Sequence, residues 1–492
     1  MRKTIICALS ALVLTGCEQK PAPGVPSAVE IPQKSGFSMD DLDTSIPPGD
    51  DFWGYTNGLW IDKTEIPPQW PRYGAVLKMV EKTELELRTI IDQISTTDVL
   101  TEPGKISTLY HSFMDTEQAE KLGMSPLAGE LEKIDALNSL ADVTAYFAYG
   151  MSIGVQTPLD FFVDAAADDP NRTLAYFWQD GLGLPDRDYY LKDGEKFVTI
   201  REQYATHIEE MYAQAGWERS QMAAHKIIAI EHALASSQWT RVQSRDRETI
   251  YSNRFTLDEA SALSPGFNWN LFLNTAGFDS TQPFIIAQTD YFAGLGDLLQ
   301  QFSVEDWQFY LRFKLLKAYA PYLNETIVDE NFAFQSGVLR GQEEQRERWE
   351  RGIKLVNKGL GEALGKLYIA ENFPESSKQR VQELVENLRE SFRISIGKLS
   401  WMSDETKTAA RDKLAAFNSK IGYPDKWKDY TSLLVEKIDL VGNVKGIHQF
   451  DYEDELGKLD KPVDRSEWGM TPQTINAYYR ATYNEIVFPA AI

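Results

Sequence analysis

Few residues in this chain are of chemically active types at spacings that would let them act together. The histidines are His111, His207, His225, His232 and His448. A zinc-activated water needs two of them one helical turn apart, a third ligand further along and a carboxylate to take the proton. Nowhere does the sequence read H-E-x-x-H or the inverted H-x-x-E-H. His225 and His232 fall on one helical pattern with Glu231 beside them, but two turns hold them about 10 Å apart, too far to share one ion. They read as helix-surface or packing residues. Gly150-Met151-Ser152-Ile153-Gly154 fits the nucleophile-elbow pattern G-x-S-x-G, which requires a strand before it and a helix after it. Here a helical pattern comes first and the extended run T-P-L-D-F-F-V follows, so Ser152 is not read as a nucleophile. The run G-L-G-E-A-L-G from Gly359 to Gly365 has one residue too many for a dinucleotide fingerprint and lies in a helical context, which points to close helix packing. No catalytic residue and no metal ligand emerges from these candidates.

The stretch from Thr471 to Ile492 offers binding instead of catalysis. Ile475–Tyr479 and Glu485–Phe488 are rich in β-branched and aromatic residues, and Arg480–Asn484 forms a turn between them. Pro472 and Pro489 discourage helix at either side. On an exposed edge strand, Asn476 would present one carbonyl acceptor and two amide donors to a peptide backbone laid alongside. Ala477 is small enough to let that backbone approach. The residues alone equally allow Asn476 to cap a turn.

Composition narrows the partners. The 492 residues are 43% hydrophobic and 12% aromatic, enough for two or more globular cores. With 73 acidic against 50 basic residues the net charge is −23, which repels nucleic acid and anionic lipid. Cys7 and Cys17 are the only cysteines. Both precede the folded part, which therefore has neither an internal disulfide nor a thiolate zinc site.

The elements that must position Asn476 and Ala477 follow in chain order. Residues 1–17 read as a targeting segment: Arg2 and Lys3, a short apolar core, then Leu14-Thr15-Gly16-Cys17, which resembles a bacterial lipobox with Cys17 as the lipidated residue. Glu18 after the cysteine favours an outer-membrane lipoprotein facing the periplasm. Residues 18–44 are proline-rich, a tether reaching roughly 60 Å if extended at about 3.1 Å per residue. P-P-G-D-D-F-W-G-Y-T-N-G-L-W-I then opens a helix capped by Asp50 or Asp51, with an aromatic stripe to bury. From Gly74 the pattern is helical, with Val76, Val80, Leu87, Ile91 and Ile94 on one face. Q-D-G-L-G-L-P-D-R-D-Y-Y-L, residues 179–191, is a fixed loop. Val381, Leu384, Val385, Leu388, Phe392, Ile396 and Leu399 form a later stripe, with Ser376 and Gln379 as a capping box, and Ser403 caps the next helix.

The opening aromatic motif, the 179–191 loop, W-M-S-D-E-T-K, I-G-Y-P-D-K-W-K-D-Y and N-A-Y-Y followed by N-E-I-V-F-P-A-A-I together resemble the neprilysin and endothelin-converting-enzyme family of zinc metallopeptidases. The resemblance runs from about residue 45 onward. It implies a mainly α protein: a large all-helical neprilysin-type N-terminal domain over residues 75–435, which caps the substrate chamber. Residues 45–74 and 436–492 would belong to a thermolysin-like α+β catalytic domain, incomplete here and ending in a β-hairpin whose edge lacks pairing partners. It implies that Asn476 and Ala477 hold the substrate backbone, and that in the complete enzyme zinc-bound water attacks the scissile carbonyl. The H-E-x-x-H helix of the family follows this stretch and is absent from the sequence. The expectation is therefore the N-terminal portion of an exported, membrane-anchored zinc metalloendopeptidase, inactive alone, with no zinc bound to this chain and a missing C-terminal catalytic half. The alternative is a non-catalytic peptide-binding lipoprotein or one half of a split enzyme.

Overall fold

The computed structural model describes residues 39–492. The lipobox cysteine Cys17 and most of the proline-rich tether lie outside the described residues. Contacts divide the chain into two compact units, one ending at Ile66 and the other running from Pro67 to Ile492.

The first unit is built on helix α1, Phe52–Lys63. Asp51 caps it, its Oδ1 accepting from the Gly54 amide at 2.8 Å. The aromatic stripe expected to be buried is only partly so: Phe52 and Trp53 are 66% and 65% exposed, while Tyr55 and Trp60 are half-buried. So short a segment cannot assemble a core of its own.

The second unit is mainly helical. Helices α2 (Ala75–Asp92), α3 (Glu102–Met114), α4 (Leu140–Ser152), α5 (Glu195–Gln214), α6 (Ser220–Ser237), α7 (Val304–Tyr319) and α8 (Arg348–Asn372) supply most of a continuous apolar core. Ile106, Phe147, Ile227, Trp307, Tyr310 and Ile353 are fully buried within it. Of the α2 stripe, Leu87 and Ile91 enter the core whereas Val76 remains exposed. A four-stranded sheet lies against the helices, ordered β1-β2-β4-β3 from Leu159–Ala165 (β1), Thr173–Gln179 (β2), Arg254–Phe255 (β3) and Phe284–Ile286 (β4).

The 179–191 loop is fixed by a buried ionic knot. Lys314 and Glu231 have fully buried side chains 2.8 Å apart. Tyr190 and Tyr204 donate to Glu231 at 2.7 and 3.1 Å. The Tyr190 hydroxyl in turn accepts the amides of Gly183 and Leu184, and Lys317 donates to the Gly183 carbonyl. Glu231 is thus committed to structure, and its neighbours His225 and His232 are exposed on α6.

Two more helices precede the last sheet. Helix α9, Glu375–Lys398, opens at Pro374 with no side-chain cap, so the expected Ser376–Gln379 box is not used. Proline already sets φ for the helix start. Of its apolar stripe only Val385 is buried, while Leu384, Leu388 and Phe392 are exposed. Helix α10, Asp404–Ala415, is capped by Ser403 as expected. The last sheet corrects the unpaired hairpin edge. Its order is β5-β7-β6, from Asn418–Gly422 (β5), Tyr478–Arg480 (β6) and Glu485–Pro489 (β7). β7 runs parallel to β5, Asn418 facing Glu485 and Gly422 facing Pro489, and antiparallel to β6. A buried Lys420–Glu485 pair at 2.8 Å holds β5 to β7. β5 and β6 are the two edges, and among the described residues the short outer strand β6 pairs only with β7.

Candidate functional site: a chamber beside the hairpin

The route from sequence to site starts at the glycines of α8. A Cβ on Gly359 would lie 2.3 Å from Ile447, one on Gly361 2.6 Å from Thr471, and one on Gly365 2.8 Å from Pro472. Only glycine admits such approach, so the G-L-G-E-A-L-G run packs against two partners. One is helix α11, Leu440–Gly457, and the other is the segment that leads into β6. Leu360 leaves helical geometry at φ −135°, ψ 32°. At this kink the buried Gln473 amide donates to the Gly361 carbonyl at 2.8 Å and to Asn357 Oδ1 at 2.7 Å. The Ala491 amide returns to the Pro472 carbonyl at 3.0 Å. The approach to the hairpin is therefore anchored on α8.

Between these elements opens a chamber of about 1450 Å³. Ile475, Tyr478 and Tyr479 line it from the hairpin side, and Asn357 and Glu362 from α8. Much of the rest is charged and internally matched. Lys428 bridges Asp451 and Asp454 at 3.0 and 3.3 Å. Lys458 meets Glu467 at 2.6 Å and also pairs with Glu455. Burial works against the Lys458 charge, but Glu455 and Glu467 outweigh it and hold its pKa above the ordinary lysine value. The Lys426 ammonium, with Ser466, pulls Asp464 down to about 2. Burial pushes the Glu362 carboxyl up, opposed by the Lys428 amide it accepts at 2.6 Å. Hydrogen bonds tie the four-stranded sheet to this wall: the Val163 amide to Glu455 at 3.2 Å, and the Thr173 hydroxyl to the Lys458 carbonyl at 2.8 Å and the Lys461 carbonyl at 3.3 Å. Arg480 of β6 reaches Asp164 of β1 at 2.9 Å.

Asn476 and Ala477 stand just before β6, between residues that line the chamber. Asn476 is exposed, but its Oδ1 accepts the Ala477 amide at 2.8 Å, so the acceptor is folded back on its own backbone. Among the described residues its side-chain NH₂ has no hydrogen-bond partner. The sequence singled out this pair but not Glu362, Lys428, Lys458, Gln473 or Arg480, which line the chamber. In so acidic a chain no local signal separates those charges from surface ones. Ser152 ends α4 and donates to the Tyr149 carbonyl at 2.7 Å, as a helix-end serine and not a nucleophile. The second glycine of its motif, Gly154, has φ +73° and takes the His448 ring against it.

The model of peptidase family M13 matches residues 48–424. The chain belongs to peptidase family M13. Endothelin-converting enzyme 1 of Mus musculus is 27% identical over 482 residues, covering 92% of this chain, and the endothelin-converting enzyme homolog of Locusta migratoria is likewise 27% identical over 487. The chain spans 61% of the length of the mouse enzyme. The crystal structure of the Mycobacterium tuberculosis zinc metalloprotease Zmp1 with an inhibitor superposes with TM-score 0.88 at 37% identity, covering 93% of this chain and 70% of that one. PepO of Lactobacillus rhamnosis, at 20% identity and TM-score 0.79, shares the fold.

Zinc, named in the description of that mycobacterial relative, does not fit the residues present. Among the described residues the one grouping of three potential ligands is Asp454, Glu455 and Glu467. It is all carboxylate, and the Lys458 ammonium pairs with every member. The histidines are dispersed: His207 is stacked on Phe334 and bonded to Glu330, His111 is bonded to the Ser107 carbonyl, and His448 lies beside Lys358. Among the described residues no helix is long and apolar enough to cross a membrane.

Proposed function

We propose that this chain forms the peptide-holding wall of an exported zinc metalloendopeptidase of neprilysin type, tethered to the outer membrane through lipid on Cys17. The observation that carries the reading is the open edge of β6 beside a chamber large enough for a peptide. An extended peptide adds to such an edge through main-chain hydrogen bonds. Asn476, turned away from its own backbone, would bracket that peptide, and Ala477 would let it approach. Tyr478 and Tyr479 would supply the apolar surface. Zinc and its ligands would come from polypeptide outside this sequence, because the one grouping of three potential ligands among the described residues, Asp454, Glu455 and Glu467, is all carboxylate and already paired with Lys458.

A second reading, favoured by that lack of zinc ligands, keeps the chamber as a peptide-binding module without catalysis. Both readings predict that the 492-residue protein binds an extended, uncleaved peptide and that Asn476→Ala weakens binding while leaving thermal stability unchanged. Calorimetry with the purified protein tests this. Equal affinity in the variant removes the role of Asn476. Stoichiometric zinc with chelator-sensitive hydrolysis by this chain alone overturns the assignment of zinc to other polypeptide. Adding the separately expressed remainder of a relative distinguishes the two readings, since only the first predicts hydrolysis.

A further inference from the structure

A second hollow, of about 660 Å³, opens on the four-stranded sheet and takes no part in the chamber. Asp160 and Phe162 of β1 and Trp178 of β2 line it, with Ser244, Arg245 and Arg247 from the segment after α6. Its floor is aromatic. Phe162 stacks on Tyr176 at 5.1 Å, almost parallel, and Trp178 lies 6.0 Å from Phe162. Phe162 keeps 37% of its surface exposed, an apolar face open to the hollow.

The walls carry opposite charges that do not meet. Among the described residues Asp160 pairs with no cation; one of its oxygens accepts the Phe161 amide at 2.8 Å. It opens to solvent at the mouth, yet the crowding of atoms around it, and then Asp180, push its carboxyl up to about 6, so it is mostly ionised at neutral pH. Asp180 is occupied by the Gln156 amide at 2.7 Å. Arg245 and Arg247 are exposed and join no ion pair among the described residues, whereas Arg241 and Arg254 nearby are held by Asp186 and Asp168. The Ser244 hydroxyl is buried and, among the described residues, has no hydrogen-bond partner.

A ligand that satisfies this set must be cationic at one end, anionic at the other and apolar between. A simple cation would meet two guanidinium groups, and a simple anion would meet Asp160. We propose that this hollow binds a zwitterion with an apolar side chain, a free amino acid or a short peptide with unblocked ends. Its ammonium faces Asp160, its carboxylate faces Arg245, Arg247 and the Ser244 hydroxyl, and its side chain lies on Phe162 and Trp178. Guanidinium groups recognise carboxylate in forked geometry, and an ammonium gains from nearby aromatic faces as well as from the carboxylate.

The test is titration calorimetry on the intact protein with the dipeptide Phe-Ala, its N-acetyl form and its C-terminal amide. The free dipeptide is expected to bind, and blocking either end to weaken it at least tenfold. The Arg245→Gln/Arg247→Gln variant, altered only at exposed positions, is expected to lose the preference for the free carboxylate, and Asp160→Asn that for the free ammonium. Asn476→Ala should change nothing, which separates this site from the chamber. Absence of heat at millimolar dipeptide, equal affinity of the blocked forms, or loss of binding with Asn476→Ala instead would each overturn the proposal.

Discussion

Gln473 donates its amide to the carbonyl of Gly361 at 2.8 Å, at the one turn of α8 where Leu360 leaves helical geometry. The kink exposes a carbonyl, and the residue that answers it lies just ahead of the hairpin. Gln473 is 4% exposed. Gln473→Ala strands that buried carbonyl and Asn357, and an unmet buried polar group costs about 1–3 kcal/mol. The expected outcome is a lower urea midpoint, with protease cleavage appearing first between Thr471 and Tyr478. An unchanged midpoint would mean that glycine packing alone anchors the segment.

His448 lies 3.2 Å from the Lys358 ammonium, and burial, then Lys358, push its pKa down to about 4. The folded state therefore binds this proton more weakly than the unfolded chain, whose histidine titrates near 6.5. The stabilising contribution is fully present above about 6.5 and is lost as pH falls toward about 4. His448→Gln should flatten the pH dependence of unfolding across that window relative to the parent, while the carboxylates and the remaining histidines titrate equally in both. Identical slopes would show that His448 protonates freely in the fold. Gly154→Ala, with φ +73° and a Cβ 2.5 Å from the same ring, should cost about 1–3 kcal/mol from backbone strain alone.

What was legible in the sequence was local. Asp51 and Ser403 announced helix starts because a cap is a short-range bond, and the glycines of the 359–365 run announced close packing because nothing else admits it. The hairpin was legible as two strands, but its register was not: β6 begins at Tyr478, leaving Asn476 ahead of the strand. The pairing of β7 with β5 was invisible, since Lys420 and Glu485 meet only through the fold. The same holds for the chamber. Lys458 and Glu467, or Lys428 and Asp454, look like any solvated charges until α11 and the loop after it are brought together.

Lys314 and Glu231 share a site from which water is excluded, with Gln156 and two tyrosines completing their hydrogen bonds. Removing one charge leaves the other buried and unmatched, which costs about 3–5 kcal/mol. Lys314→Met is expected to lose that much by chemical denaturation. Lys314→Met with Glu231→Gln should recover a large part, because the glutamine oxygen still accepts from Tyr190 or Tyr204 without a net charge. A double variant no better than the single one would show that the knot serves through hydrogen bonding and not through charge.

Arg480 and Asp164 connect the edge strand β6 to the four-stranded sheet, and the guanidinium also lies 4.0 Å over the Tyr483 ring. Both side chains are largely shielded, at 27% and 12% exposure, so salt should screen the pair less than a surface one. A double-mutant cycle of Arg480→Met and Asp164→Asn is expected to give a coupling of about 1–2 kcal/mol that persists at high ionic strength. Arg480→Lys keeps the charge but not the stacking of a planar guanidinium on Tyr483, so it should recover only part of the loss. Because β6 is the edge on which a peptide would add, Arg480→Met is also expected to weaken peptide binding to the chamber while dipeptide binding at Asp160 stays unchanged. A coupling near zero would mean that β7 alone holds β6 in place, and the peptide affinity of Arg480→Met would then match that of the parent.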